Sequence, residues 1–168
     1  GVFVGVMNNG FSKQGFEGAQ VALRLPNLAY TPAVHVENAC ATGSAALYAA
    51  LDFIGAGRGK VALVIGAEKM TTTPLEDTSD ILLSASYRKE EEGIHFGFAG
   101  IFAQIASNYF QRYGDRSKEL GMIAAKNHKN GVANIYAQMR SDLGVEFCTN
   151  VSKKNPYVAP PLRRTDCS

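Results

Sequence analysis

Val34-His35-Val36-Glu37-Asn38-Ala39-Cys40-Ala41-Thr42-Gly43-Ser44 is a β-branched run, a cysteine and a small-residue turn, and it opens the apolar, Ala-rich segment Ala45 to Ile54. A strand over Val34 to Ala39 that turns directly into a helix puts one thiol on a strand-to-helix elbow. At such a place, unpaired backbone N–H groups and the positive end of the helix dipole favour a thiolate, the form that attacks acyl groups. Cys40 is therefore the first candidate for a nucleophile. Isolated cysteines are commonly inert core residues, so spacing alone leaves both readings open.

Outward from the elbow, Val2 to Val6 reads as a strand and Asn8-Asn9-Gly10 as a turn. Residues 16 to 25 form a helix with Ala19, Val21, Ala22 and Leu25 on its apolar side, ended by Pro26. Ala45 to Ile54 is apolar nearly all round, which predicts a buried helix, and Gly55, Gly57 and Gly59 stop it. Lys60 to Gly66 is a third strand, apolar on both faces as strands of a covered parallel sheet are. Strand, helix, strand, buried helix, strand is the order of a βαβαβ unit with right-handed crossovers, so the fold class is α/β. Ligands of such a sheet collect outside the carboxyl ends of its strands, where Cys40 lies at one end and Glu68 to Met70 at another.

After Pro74 the pattern changes: Leu75 to Gly93 is polar, with Glu90-Glu91-Glu92, and reads as a connection that leaves the sheet. Phe98, Ile101, Phe102, Ile105, Ala106 and Tyr109 recur at helical spacing, with Gly114 as the stop. Leu120, Ile123 and Ala124 give a short helix ending near His128, and the tail, with Asn155-Pro156, Ala159-Pro160-Pro161 and Arg163-Arg164, reads as extended and irregular.

With 168 residues, 46% of them hydrophobic, the chain is long enough to bury a core as one domain or most of one. The apolar start Gly-Val-Phe-Val-Gly-Val and the uncapped end Arg-Thr-Asp-Cys-Ser both read as cuts from a longer protein. No apolar run approaches the roughly 20 residues that span a bilayer, and no charged-then-apolar signal opens the chain, so a soluble protein is expected. Cys40, Cys148 and Cys167 cannot all pair and show no metal-ligand spacing, which points to a reducing compartment, the cytoplasm first, with a peroxisome-like one also open, and to no metal. The net charge of +2 is uneven: residues 112 to 168 carry ten basic against five acidic groups. A solvated face or a phosphate-bearing ligand explains that excess. Nucleic acid is disfavoured because aromatic residues are not interleaved with the basic ones.

At the elbow, Cys40-Ala41-Thr42-Gly43 resembles the nucleophile motif of the thiolase family, a strand followed by Cys-(Ala/Ser)-(Ser/Thr)-Gly. Gly66-Ala67-Glu68-Lys69-Met70 is similar to the Gly-(Gly/Ala)-x-x-Met turn after the next strand. Phe96-Gly97-Phe98-Ala99-Gly100, Lys126-Asn127-His128 and Tyr136-Ala137-Gln138 resemble the branch that includes sterol-carrier-protein-type thiolases. Ile135 departs from that branch, which carries Pro there.

The resemblance implies a thiolase-like, covered mixed or parallel sheet with helices on both faces, as part of a five-layer αβαβα architecture. Residues 1–74 would belong to the N-terminal core that carries the elbow, 75–155 to an inserted loop and helical region, and 156–168 to a return to the core. The C-terminal domain, with the activating His and the second Cys, would be absent. The implied chemistry is acyl transfer through Cys40: cleavage of a 3-ketoacyl-CoA by coenzyme A, or condensation of two acyl-CoA molecules. Coenzyme A and acyl-CoA would be substrates, with no tightly bound cofactor, and the assembly a homodimer or homotetramer. A decarboxylating ketosynthase-like enzyme and a non-catalytic thiolase-like scaffold subunit are the alternatives.

Met70, His95 and Phe96 are the substrate-binding candidates that the resemblance implies, His95 ordering water or the thioester oxygen. Each has a plainer reading: packing beside a strand for Met70, a surface loop imidazole for His95. His128 reads as closing a helix C-terminus, His35 as a satisfied core or interface group, and Cys148 and Cys167 as structural. Lys126, Lys129, Arg140, Lys153, Lys154 and Arg163-Arg164 are candidates for the phosphates of coenzyme A.

Overall fold

The computed structural model describes residues 1–7 and 9–167, and of Asn9 the backbone only. They fall into two compact units, Gly1–Ala85 and Ser86–Ser168.

The first unit is built on three parallel strands, β1 (Val2–Gly5), β2 (Ala33–Val36) and β3 (Leu63–Gly66), in the order β2-β1-β3. The register pairs Val4 with His35 and Ile65, and Gly5 with Val36 and Gly66, so the three carboxyl ends lie level. Helices α1 (Asn9–Ser12) and α2 (Glu17–Arg24) connect β1 to β2, and α3 (Thr42–Gly55) carries the chain from β2 across β1 to β3. Phe3 packs against Ala46 and Ala50 of α3, with its ring edge-on to Phe53 at 5.7 Å. The alternate positions, Val2 and Val4, are buried on the other face, where Glu17 and Gly18 of α2 meet β2. Helices therefore flank both faces of the parallel sheet, as the α/β reading expects. The expected turn at Asn8-Asn9-Gly10 lies partly outside the described residues; α1 begins at Asn9.

Gly5 is the point of closest approach between sheet and elbow. A Cβ there would stand 3.1 Å from Cγ2 of Thr42 and 3.6 Å from Cβ of Ala46, so the first turn of α3 lies almost on the backbone of β1.

Three expectations for this unit need correction. Helix α3 is not buried all round: Ala46 and Ala50 face the sheet, while Leu47, Tyr48, Leu51 and Ile54 are 43–68% exposed on its other side. Strand β3 is likewise partly open, with Leu63 40% and Val64 37% exposed. The polar connection after Pro74 is in fact the helix α4 (Leu75–Leu83). Pro74 fixes the entry to it, and Glu76 and Asp77 in its first turn complement the helix dipole.

The second unit contains α5 (Arg88–Glu91), α6 (Gly97–Tyr113), α7 (Ser117–Ala133), α8 (Gly144–Thr149) and a short antiparallel pair, β4 (Tyr157–Ala159) and β5 (Leu162–Arg163). Helix α6 matches its periodicity and ends at Gly114, whose φ of 85° suits glycine. Helix α7 runs past the expected short helix at both ends, and its N-terminus is fixed by Asp115, whose Oδ1 accepts the Ser117 N–H at 2.8 Å. Gly121 then lets α8 cross closely: a Cβ there would meet the Cys148 carbonyl at 2.7 Å.

The tail is not irregular either, because buried polar groups pin it. Asn155 is fully buried; its Nδ2 donates to the carbonyls of Phe147 and Asn150, and its Oδ1 accepts the Thr165 N–H at 3.0 Å. Arg163, 3% exposed, pairs with Asp166 at 2.9 Å and donates to the Thr149 and Ser117 carbonyls.

Candidate functional site

The elbow is built from backbone strain and one hydroxyl. After β2, Asn38 adopts φ −157° and ψ 52°, and Ala39 is forced to φ 46°, a left-handed conformation that a Cβ disfavours. The 3₁₀ turn Ala39–Ala41 follows and runs straight into α3. Thr42, buried at its first position, holds the turn: its Oγ1 accepts the Asn38 N–H at 2.9 Å and donates to the Ala39 carbonyl at 2.6 Å. The Glu37 carboxylate accepts the Ala39 N–H from the other side.

Cys40 sits in the middle of that turn, exposed and unpaired. No side chain caps the N-terminus of α3 among the described residues. The thiol is thus exposed at the start of α3, where the amides of Ala39, Ala41 and Thr42 are taken by Glu37, Asn38 and Ala39, and an exposed thiol so placed can attack a carbonyl.

Met70 is half-buried beyond β3, in a turn where its carbonyl accepts the Thr73 N–H at 3.0 Å. It shares the carboxyl end of the sheet with Cys40. Strand β1 stands between β2 and β3, however, so the two strand ends are two strand spacings, roughly 10 Å, apart rather than adjacent. On the β3 side of that gap, Glu68 Oε2 accepts the Met7 N–H at 2.7 Å and ties the β3 turn to the end of β1. A cavity of about 340 Å³ opens beside it, walled by Phe11, Ser12, Glu17, Glu68 and Lys69; neither Cys40 nor Met70 lines it.

His35 is the satisfied core group that its strand position suggests. Its Nε2 lies 2.9 Å from the Val6 carbonyl and its Nδ1 3.3 Å from the buried Glu17 carboxylate, tying β2 to the end of β1 and to α2.

His95 and Phe96 belong to the second unit. Phe96 takes φ 68° at the start of α6, and the His95 and Phe96 rings meet at a tilt of 53°, 3.9 Å between centroids. Both line a cavity of about 360 Å³ with Gly100, Gln104 and Asn108. His128 does not close a helix C-terminus as expected: α7 continues to Ala133, which leaves the imidazole buried in the helix body. Cys148 is fully buried and that burial raises its thiol pKa, in line with a structural role, whereas Cys167 is exposed. No group of three His, Cys, Asp or Glu suited to a metal occurs among the described residues, and no helix among them is long and apolar enough to cross a membrane.

The residues that sequence reasoning missed are Thr42 and Glu68. A Thr two positions after the cysteine, at a helix start, is the turn-capping signal in the sequence that points to this role. The sequence places Glu68 at the carboxyl end of the third strand, but nothing local marks its bond to the Met7 N–H, 61 positions away.

Comparison with known proteins supplies the remaining observation. The family model described as "Thiolase, N-terminal domain" matches residues 1–155. Acetyl-CoA acetyltransferase of Methanocaldococcus jannaschii is 36% identical over 137 residues, 82% of this chain and 33% of that protein. Acetyl-CoA acetyltransferase of Methanothermobacter thermautotrophicus is 31% identical over 168 residues, 99% of this chain and 42% of that protein. Human sterol carrier protein 2 is 30% identical over 126 residues, 68% of this chain and 22% of that protein. The chain thus spans between a third and about two-fifths of the length of the two acetyltransferases.

Proposed function

The chain belongs to the thiolase family, and from that premise we propose that the protein is an acyltransferase in which Cys40 carries the acyl group. The observation that supports this most is the exposed thiol on the Thr42-braced elbow, beside the uncapped start of α3.

In the thiolytic direction the Cys40 thiolate attacks the 3-keto carbonyl of a 3-ketoacyl-CoA. The bond between the carbonyl and the α-carbon breaks, and the α-carbon keeps the electron pair and takes a proton, leaving as acetyl-CoA. The thiolate of a second coenzyme A then attacks the acyl-cysteine and releases a shortened acyl-CoA and Cys40. Condensation of two acyl-CoA molecules is the reverse. Met70, His95 and Phe96 are assigned to substrate contact. Coenzyme A enters and leaves as substrate, no cofactor is retained, and the working form is a homodimer or homotetramer. Three free cysteines fit a reducing compartment such as the cytoplasm.

The test is intact-mass spectrometry with peptide mapping after brief exposure to acetyl-CoA. One acyl group on Cys40, removed by free coenzyme A, is the expected result. Thiolytic turnover by the full-length protein that survives Cys40→Ala would overturn the proposal, and CO₂ release from a malonyl thioester would redirect it to a decarboxylating condensing enzyme.

A further inference from the structure

Strands β1 and β3 pair in a regular parallel ladder, but the ladder does not end in a regular way. The register matches Phe3 to Val64 and Gly5 to Gly66, so each odd-numbered residue of β1 bonds to the two residues that flank its partner. Just before β1, the Gly1 nitrogen donates to the Val61 carbonyl at 3.1 Å, and the Gly1 carbonyl accepts the Leu63 N–H at 2.9 Å. At the carboxyl end, the Gly5 carbonyl accepts the Ala67 N–H at 3.1 Å. By the same rule the next rung runs from the Met7 N–H to the Ala67 carbonyl. The Met7 N–H donates instead to Oε2 of Glu68, at 2.7 Å.

A side-chain carboxylate thus stands where a backbone carbonyl would complete the last rung. The main chain beyond Ala67 is released from the ladder and leaves the sheet at its carboxyl end, where the ligands of a parallel sheet collect. It leaves under constraint, because a hydrogen bond to a charged acceptor belongs to the stronger class. Met70 follows two residues later, half-buried, and its carbonyl closes the turn by accepting the Thr73 N–H at 3.0 Å. Among the described residues, no other hydrogen bond joins residues 68–70 to the sheet. The direction in which Met70 departs from β3 is therefore set by the Glu68 side chain.

We propose that Glu68 is a positioning residue for substrate selection: by replacing the Ala67 carbonyl in the β1–β3 ladder, it holds Met70 where Met70 meets the acyl chain. The proposal rests on the assignment of Met70 to substrate contact. Glu68 itself touches no reacting atom, and its effect passes through the place of Met70. Loss of the bond unties the turn and moves one wall of the acyl site, which weighs on a long acyl chain more than on the carbonyl that Cys40 attacks.

Glu68→Ala and Glu68→Gln test it. Glutamine keeps a carbonyl oxygen to accept the Met7 N–H, and alanine does not. Glu68 is exposed, so both variants keep the fold, and circular dichroism verifies it. The first measurement is hydrogen peroxide oxidation of the native chain with peptide mapping, in which Met122 and Met139, each 48% exposed, are internal standards. Relative to them, Met70 should oxidise about threefold or more faster in Glu68→Ala and at the parental rate in Glu68→Gln. The second is thiolysis by the full-length protein. The ratio of kcat/KM for 3-ketodecanoyl-CoA to that for acetoacetyl-CoA should shift about three- to tenfold in Glu68→Ala and return to the parental ratio in Glu68→Gln. A loss of folded protein alone would lower both values together and leave the ratio where it was. Parental Met70 oxidation in Glu68→Ala, an unmoved ratio, or a Glu68→Gln variant that behaves like alanine would overturn the proposal. Absence of thiolysis by the parent would count against acyl transfer at Cys40, and the oxidation measurement would still decide whether Glu68 holds Met70.

Discussion

Thr42→Val deletes one hydroxyl and little else, which makes it the sharpest probe of the elbow. The Thr42 side chain is 6% exposed, and its Oγ1 takes part in two bonds, from the Asn38 N–H at 2.9 Å and to the Ala39 carbonyl at 2.6 Å. Valine keeps the methyl group that lies against Gly5. The packing change is therefore near zero, and the cost is that of the two bonds. Each contributes about 0.5–1.5 kcal/mol net. Asn38 is exposed and Ala39 half-exposed, so water re-solvates the released groups and the larger penalty for a buried orphan does not apply. The expected loss is about 1–3 kcal/mol in urea unfolding of the chain. A second effect reaches function. The left-handed Ala39 costs about 1–2 kcal/mol, and these two bonds hold it there together with the Glu37 carboxylate. Without them the turn relaxes, Cys40 leaves its place at the start of α3, and its alkylation rate by iodoacetamide changes severalfold. Thr42→Ser keeps the hydroxyl and loses one methyl group, about 0.8 kcal/mol, with alkylation unaltered. If Thr42→Val stays within about 0.5 kcal/mol of the parent and alkylates at the parent rate, the hydroxyl does not build the elbow and this reasoning fails.

Ala39→Gly removes the Cβ that the φ of 46° disfavours, so it should be neutral or stabilising by up to about 1 kcal/mol in urea melts, against the loss of about 1 kcal/mol usual for Ala→Gly in a helix. Arg163→Met leaves the Asp166 carboxylate buried and alone, with an expected loss of about 3–5 kcal/mol; adding Asp166→Asn should restore part of it, and a double variant no better than the single would refute the pairing. The Asp115 carboxyl is held below its ordinary range, first by the Ser117 backbone N–H and then by the Ser117 hydroxyl. Its contribution is therefore present above the ordinary aspartate range and lost as pH falls below that range through the lowered value of the folded state. Asp115→Asn should lower the melting temperature at neutral pH and converge with the parent in acid, and a gap that persists in acid would count against the assignment. Burial raises the thiol pKa of Cys148, so in a native labelling experiment at neutral pH Cys40 should react first and Cys148 only after denaturant is added.

How far the sequence could be read depended on whether the signal was local. The parallel βαβαβ order was legible because each strand is a short β-branched or apolar run set off by turn residues, and Cys40 was legible because its elbow is contiguous. The Arg163–Asp166 and Asn155 pins were not, since a lone Arg or Asn in a Pro-rich tail carries no sign that it will be buried; their partners at Ser117 and Phe147 are fixed only by the crossing of α7 and α8. Helix α4 was missed for a different reason. Its polarity suggested a connection, and the acidic first turn after Pro74 outweighed that.

Helix α3 shows where the polarity pattern fails and what replaces it. Both of its sides are apolar, so periodicity of hydrophobicity gives no direction, and the all-round reading followed from that. Side-chain volume does give one. Ala46, Ala49 and Ala50 lie toward the sheet, while Leu47, Tyr48, Leu51 and Ile54 point away. Small residues inward let the helix axis come close to β1, and the same closeness brings Thr42 against Gly5 at the top of the helix. The alanines and the glycine thus set the height at which the elbow stands, and Cys40 is presented there by packing two turns below it. A larger residue at Ala46 would lift α3 from the sheet and move the thiol without touching it.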